Sequence, residues 1–312
     1  MIRIANQPKR GHPATMPTVA VVIPSCNRCR LLLQAMESIA IQTRRPDEVV
    51  IVDDASTVDM SECRVLAGEF GFKWCSLPAN QGPAAARNRG VEATTADWLC
   101  FLDSDDEWLP EKLSRQLSWH EQHPDSRISQ VHESWHRKGE EVKKPSHWEQ
   151  RGGDLFAASI ERCSIGPSCV MLSRELWNET GGFDENFRVC EDYELWLRIS
   201  SQALIGLVDS GPLVRKHAGH DDQLSAVTPA MDRFRVHALM KALAEGSYSE
   251  TQMEMFAEGI RGKAVILAGG AEKRGFRERA DFYRRVSEVR WEILSAGETR
   301  EWFRRSARLI QE

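Results

Sequence analysis

What this chain can fold into is constrained above all by four short apolar runs. Residues 18–23 (TVAVVI), 48–52 (EVVIV), 72–77 and 98–102 (WLCFL) are near-continuous and rich in β-branched or aromatic side chains. Runs of this kind suit strands of a parallel sheet buried on both faces. Helical patterns separate them. Leu32, Ala35, Met36, Ile39 and Ala40 recur at helical spacing, residues 61–70 form a helix closed by Gly71, and the Ala-rich stretch 83–93 follows Gly82. Strand and helix in alternation imply an α/β fold, a mostly parallel sheet flanked by helices with right-handed crossovers. Ligands in such sheets bind beyond the carboxyl ends of the strands. At those ends the sequence is polar: 24–28, 53–56, 80–82 and 103–106.

The second half has another texture. Residues 110–122 read as a helix with Leu113 and Leu117 inward, and the polar stretch 132–154 as a hairpin or mobile loop. Residues 168–172 (SCVML) return to strand character, 174–180 form a helix stopped by Gly181-Gly182, and 191–202 form a helix with Leu195, Trp196 and Ile199 available for packing. From 229 onward the chain is helical, with a stripe at Met253, Phe256, Ala257, Ile260, Ala264 and Leu267. One helical pair is not a repeat array, so an accessory cap is expected there, with protein docking as the alternative. The expected organisation is a tail over 1–16, an α/β domain over 17–228 divided near 118, and a helical extension over 229–312.

Charge excludes one class of partner. Lys and Arg number 41 against 46 Asp and Glu, a formal net charge of −5, which gives no basis for nucleic-acid binding. A protein of this sign that handles phosphates needs a metal ion or a few placed arginines. No run approaches the ~18–20 apolar residues of a membrane span, and residues 1–17 lack the apolar core of a secretory signal. The eight cysteines are scattered, several within apolar strands, which suits a reducing, cytoplasmic setting. Cys26 and Cys29 form one C-x-x-C without the second pair that a zinc site requires.

The chemistry concentrates at the strand ends. Asp103-Ser104-Asp105 sets two carboxylates one residue apart, where they can converge on one ion or form a solvated acidic turn. Oxygen ligands of this kind suit Mg²⁺ or Mn²⁺. Asp53-Asp54 ends a second strand and can accept from a base N–H or a ribose hydroxyl, or cap a turn with Ser56. In Pro24-Ser25-Cys26-Asn27-Arg28, proline ends the ladder, Asn27 turns the chain and caps the next helix, and Arg28 reaches a phosphate or base. Gly82 permits a tight turn, and Arg87, one helical turn in, can hold phosphate bidentately; for Arg87 and Arg28 alike the alternative is a surface ion pair. Asp192, at a helix start after Gly181-Gly182-Phe183-Asp184-Glu185, is aimed by a rigid element as a general base should be, although a capped amphipathic helix has the same pattern. His217 or His220 can supply a third metal ligand or lie at the surface.

Taken in order, VVIPSCNR, VVIVDDAS, NQGPAAARN, WLCFLDSDD, GGFDE and CEDYELWLR resemble the family-2 glycosyltransferases of GT-A fold, over about residues 17–225. CEDYELWLR, KHAGHDDQLS and MDRFRVHAL further resemble a bacterial and archaeal subgroup with a helical C-terminal extension. The resemblance implies a nucleotide-sugar-binding half over 17–118 and an acceptor half over 119–228. It implies that Pro24, Ser25, Asn27 and Arg28 form the first nucleotide loop and that Asp54, with Asp53, recognises the base, usually uracil. Gly82 and Arg87 would lie near the donor phosphates, and Asp103, Ser104 and Asp105 would hold ribose and the metal, with Asp105 the direct ligand. Asp192 matches the catalytic base, and His217 or His220 a late metal ligand. Cys26 stands where an aromatic is frequent, so base stacking is not expected there.

The implied reaction is inverting, Mn²⁺- or Mg²⁺-dependent transfer from a nucleotide-sugar, UDP-sugar favoured, to a hydroxyl on a glycan, lipid-linked or protein acceptor. A lipid-linked acceptor would bring the protein to the inner membrane face as a peripheral partner. Two rivals are a sugar-nucleotidyltransferase and an inert sugar-nucleotide-binding scaffold acting through the C-terminal helices. The first usually carries a Gly-rich loop after the first strand, and residues 24–28 contain no glycine. The second has no use for intact Asp103, Asp105 and Asp192. A dehydrogenase is set aside because no G-x-G-x-x-G follows the first strand.

Overall fold

The computed structural model describes residues 16–219 and 228–311. The expected tail over 1–16 therefore lies almost wholly outside the described residues. A single mixed sheet runs in the order β3-β2-β1-β4-β8-β6-β9-β5. Its first part is the parallel unit that the apolar runs predict: β1 (Val19–Ser25), β2 (Glu48–Asp53), β3 (Lys73–Ser76) and β4 (Trp98–Phe101). Crossover helices α1 (Cys29–Ala40), α2 (Ser61–Phe70) and α3 (Pro83–Glu92) connect them. Gly71 closes α2 in the left-handed region at φ 73°, where glycine carries no Cβ penalty. Apart from Glu48, the side chains of β1 and β2 are all buried.

Proline does not end the first strand. Pro24 pairs with Val52, and Ser25 with Asp53. Val22 directs its carbonyl toward Leu102 on the β4 side, and by alternation the missing N–H of Pro24 lies on that side too, past Phe101, the last β4 residue paired with β1. No ladder bond is lost.

The second part of the sheet brings antiparallel pairs. β8 (Val170–Ser173) runs antiparallel to β4 and to β6 (Ile128–Arg137). The polar stretch after residue 131 is a hairpin: β6 turns through Lys138 (φ 52°) and Gly139 (φ 84°) into β7 (Glu140–Val142), with both turn residues left-handed as a two-residue hairpin loop requires. Two strands were not anticipated. β5 (Asp106–Trp108) extends the acidic turn, and β9 (Gly206–Ala218) lies parallel to β6 and antiparallel to β5. Its register slips around Gly211 (φ 73°) and Pro212, a bulge that sets Lys216 opposite both Asp106 and Trp135.

Helices α4 (Lys112–Gln122), α5 (Phe156–Glu161), α6 (Arg174–Thr180) and α7 (Glu191–Ser200) cover the faces. Ser173 caps α6 by accepting from Leu176 N at 3.1 Å, and Gly181 (φ 80°) ends it. The C-terminal helices Asp232–Glu245, Glu250–Lys273, Arg277–Glu288 and Ala296–Gln311 share one apolar core with α5 and α7, formed by residues such as Tyr193, Leu197, Leu239 and Phe256. The expected stripe at Phe256, Ala257, Ile260, Ala264 and Leu267 is the buried face of the long helix, which opens with a reciprocal Ser249–Gln252 capping box. Among the described residues no helix is long and apolar enough to cross a membrane.

One glycine governs how closely α3 approaches the sheet. A Cβ on Gly90 would lie 2.2 Å from Val22 Cγ1 and 3.1 Å from its Cβ, and Val22 is fully buried. Gly90→Ala should lower stability by about 1–3 kcal/mol through overpacking, read as a lower urea midpoint with an unchanged slope. An unchanged midpoint would mean that α3 can move away from β1 freely.

Candidate active site

The carboxyl ends of β1, β2 and β4, the loop before α3 and the start of α7 enclose one cavity of about 910 Å³. Its walls are built by hydrogen bonds that pull separate loops together. Asn27, left-handed at φ 58°, does not cap α1; that helix starts at an Arg28 N-cap without a side-chain bond. Asn27 Oδ1 instead accepts from Thr57 N (2.7 Å) and Val58 N (3.3 Å), and Asn27 N donates to Ser56 Oγ (2.8 Å), locking the loop after β1 to the loop after β2. Asp54 accepts from Gln81 N (2.7 Å) and Gly82 N (2.8 Å), one on each carboxylate oxygen. It thereby shapes the turn where Gly82, at φ 93°, leads into Pro83. Pro24, Ser25, Arg28 and Asp54 all line the cavity. Asp53 does not: its buried carboxylate accepts from Ser56 N at 3.0 Å and lies 3.5 Å from Arg64, so it is occupied as a turn residue.

Two arginines engage the Asp-Ser-Asp turn. Arg28 Nη1 lies 2.8 Å from Asp105 Oδ2. Arg87, buried, donates at 2.7 Å to Asp103 Oδ1 and at 2.7 Å to Glu191 Oε1, its guanidinium 5.1 Å from the Phe183 ring centroid. Arg87 is thus ion-paired, but as a buried bridge and not the surface pair expected as its alternative, and its unpartnered buried atom is Nε. Burial works against its charge, but Asp103 and Glu191 outweigh it and hold its pKa above the ordinary value. One guanidinium serves two carboxylates unequally. Burial raises the pKa of Asp103, yet Arg87, Lys216 and Arg28 bring it below the usual range. Glu191 is pushed up to about 7 by burial, with Asp192 adding to the shift and Arg87 only partly opposing it.

Ser104 is buried between these carboxylates. Burial and the neighbouring Asp103 raise the pKa of Asp105, and burial raises that of Asp106 well above normal even though Ser168 Oγ donates to it at 2.6 Å. Lys216, unpredicted, sits among them. Burial opposes its charge, while Glu133, Asp106 and Asp103 hold its ammonium well above the ordinary range. Glu133 is lowered to about 2: burial pushes it up, but Lys216 and Lys144 prevail.

This donor set fits a hard divalent cation in its chemistry. Asp103 and Asp105 are adjacent oxygen donors whose mutual repulsion raises Asp105, and a cation relieves such repulsion. Among the described residues no three His, Cys, Asp or Glu side chains converge as a ready cluster. His217 lines the cavity but turns Nε2 to Glu107 Oε1 at 2.8 Å, so it is not joined to Asp103 and Asp105. His220 lies outside the described residues.

Asp192 opens onto the same cavity from the first turn of α7. Its Oδ2 accepts from Cys163 Sγ at 3.2 Å and its Oδ1 from Tyr193 N at 2.7 Å, which fixes the carboxylate direction. Cys190, the residue before α7, is left-handed at φ 62°, a conformation that non-glycine residues adopt at some cost. Glu191, Lys216, Glu133 and Cys163 escaped the sequence reading. Glu191 carried a signal, since it abuts Asp192 in the acidic cluster.

A family model for glycosyl transferase family 2 matches residues 20–177, from β1 into α6. An uncharacterized glycosyltransferase of Rickettsia conorii is 34% identical over 193 residues, covering 61% of this chain and 31% of that protein. The amylovoran biosynthesis glycosyltransferase AmsB of Erwinia amylovora is 28% identical over 214 residues, covering 64% of this chain and 69% of that protein. The chain thus spans about a third of the length of its Rickettsia relatives. Among solved structures, S. aureus TarS 1–349 in complex with UDP-GlcNAc matches with a TM-score of 0.71 at 17% identity, covering 94% of this chain and 90% of that one. The matched segment holds the strands that build the cavity, and the architecture recurs in the solved TarS structure: the chain belongs to glycosyltransferase family 2 and has the GT-A fold.

Proposed function

We propose that this protein transfers a sugar from a UDP-sugar to an acceptor hydroxyl with inversion, Asp192 acting as general base. The observation that carries the reading is the shared cavity: the Asp103–Asp105 turn and Asp192 line one space between the strand ends and α7. The nucleotide would lie along Pro24, Ser25, Arg28, Asp54 and Gly82. Asp54 retains lone pairs for a base N–H or ribose hydroxyl beyond the two amides it accepts. Asp103 and Asp105 would hold Mn²⁺ or Mg²⁺, which when bound supplies charge stabilisation to the leaving diphosphate. Arg28, held against Asp105, would be released toward phosphate as that ion arrives.

Asp192 suits the base role better than Glu191. Glu191 is committed to Arg87 and its pKa is pushed up by burial, whereas the Asp192 side chain is oriented by two donors and makes no ion pair among the described residues. The Cys163 thiol adds only a weak hydrogen bond to it, so proton acceptance from an acceptor hydroxyl remains open.

Calorimetric titration with UDP in Mn²⁺ should show binding that EDTA removes; equal binding with EDTA would discard the metal assignment, and no binding of UDP would discard the donor assignment. Asp192→Asn should reduce turnover by ~10²–10⁴-fold while UDP binding stays near wild type, and undiminished turnover would remove Asp192 from the role. Glu191 makes a separate prediction on stability. Its folded pKa, about 7, exceeds the ordinary carboxylate value, so its contribution is complete below that ordinary value and is lost as pH rises through about 7. The stability difference between wild type and Glu191→Gln, followed by urea denaturation from pH 5 to 8, should therefore shift against wild type as pH rises and level off above pH 7. A difference that is flat or runs the other way would show that Arg87 keeps Glu191 ionised throughout.

A further inference from the structure

The cavity is larger at the α5 and α7 side than the donor reading uses, and the residues there have their own character. Trp135 on β6 and Trp148 in the short helical turn Ser146–Trp148 face each other at 6.1 Å between ring centroids, and both line the cavity. The Arg162 guanidinium lies 6.0 Å from the Trp148 ring centroid, and Arg162 directly precedes Cys163, the thiol that touches Asp192. Arg188 lines the cavity two residues before the α7 N-cap, and Arg151 lines it three residues after Trp148. Arg151 and Arg188 are exposed and make no side-chain ion pair among the described residues. Arg162 pairs at 3.0 Å with Glu161, whose side chain is 72% exposed, so the contact is weak and exchangeable.

The two sides of the cavity differ in their cations. Around the Asp-Ser-Asp turn the carboxylates outnumber the cations. Around Asp192 the lining residues include Arg151, Arg162 and Arg188 together with Glu149, Glu191 and Glu133, of which Glu191 is held by Arg87 and Glu133 by Lys144 and the Trp135 indole. Arginine pairs with carboxylate or phosphate through two parallel N–H donors, and tryptophan faces take up the apolar face of a sugar ring. The cavity, about 910 Å³, stands at the upper end of the ~300–1,000 Å³ range for ligand pockets and extends past the residues assigned to the donor.

We infer that Arg151, Arg162 and Arg188, with Trp135 and Trp148, form an acceptor subsite for an anionic saccharide, one that carries a carboxylate or phosphate near the hydroxyl presented to Asp192. This rests on the transferase reading above and adds the chemistry of its acceptor. Oxyanion and guanidinium set the acceptor's register, and the indoles hold its ring.

The test uses the full chain loaded with UDP and Mn²⁺ and three probes of similar length: oligogalacturonate, a phosphorylated mannooligosaccharide and neutral maltohexaose. At low salt at least one anionic probe should bind about tenfold more tightly than maltohexaose, a preference that shrinks as ionic strength rises. Replacing the three arginines by Gln should bring all probes within about twofold of one another, and replacing them by Lys should restore much of the salt-sensitive preference. UDP binding, measured on the same samples, should be the same in all three proteins. Which anionic probe wins names the oxyanion, and either supports the inference. Equal or tighter binding of maltohexaose, binding of no probe, or a preference that survives the Gln substitutions would overturn it. Loss of UDP binding in wild type would instead sink the donor reading, so the two failures are distinguishable.

Discussion

Arg87 is the interaction on which the rest of the site depends. Its guanidinium joins Asp103, at the end of β4, to Glu191, at the start of α7, across 104 residues of sequence between Arg87 and Glu191. Nothing else among the described ion pairs ties the parallel half of the sheet to the helix that carries Asp192 with both groups buried. Buried pairs of this kind gain little net stability, because desolvation offsets the attraction, but removing one partner strands the other at a cost of about 3–5 kcal/mol. The contact therefore acts as a constraint on geometry. It helps to set the distance between the Asp-Ser-Asp turn and Asp192, which the proposed transfer needs fixed to within a fraction of an ångström.

The same contact belongs to a local charge balance that bears on the proposed diphosphate site. Asp103, Asp105, Asp106, Glu133 and Glu191 crowd one wall, with Arg28, Arg87 and Lys216 set among them. The compensation is uneven. Asp103 and Glu133 lie below the usual carboxylate range because cations sit beside them, while Asp105, Asp106 and Glu191 lie above it because burial and like charge prevail. A wall in this state has unmet demand for positive charge on the side where the proposed diphosphate would lie, and that demand is local: the formal net charge of −5 says nothing of it.

Much of this was legible in the sequence because it is local. The four parallel strands announce themselves by continuous apolar runs, and their polar ends follow from the topology. The Gly71 and Gly181 stops obey turn chemistry that a few residues determine, and a hairpin was one of two readings of the stretch that holds the Lys138-Gly139 turn. What was not legible depends on long-range pairing. Lys216 reaches the acidic wall only because β9 crosses beside β6 and, past its bulge, pairs with β5. Glu133 matters only because Lys216 and Lys144 arrive from elsewhere. Asn27 was misjudged as a helix cap, and Asp53 took its turn alternative with Ser56, for the same reason: a side chain at a strand end has several backbone donors in reach, and only the packed loops decide which it takes.

The C-terminal helices also acquire a physical role from this geometry. Tyr193 and Leu197, on α7, are buried against a core that includes Val236, Leu239 and Phe256 of the extension. Lys241, from the helix Asp232–Glu245, lies 2.6 Å from Asp184 and 2.8 Å from Glu194 of α7. Tyr193 Oη also donates to Ile160 O of α5 at 2.7 Å, and α5 itself packs into the same core. The helix that presents Asp192 is thus backed by the extension on the face away from the cavity, and Arg87 holds its first turn from the front. A carboxylate on the first turn of a ten-residue helix would swing with that helix if either support were missing. The extension is therefore more than a cap beside the fold: its apolar core is part of what gives Asp192 a fixed direction.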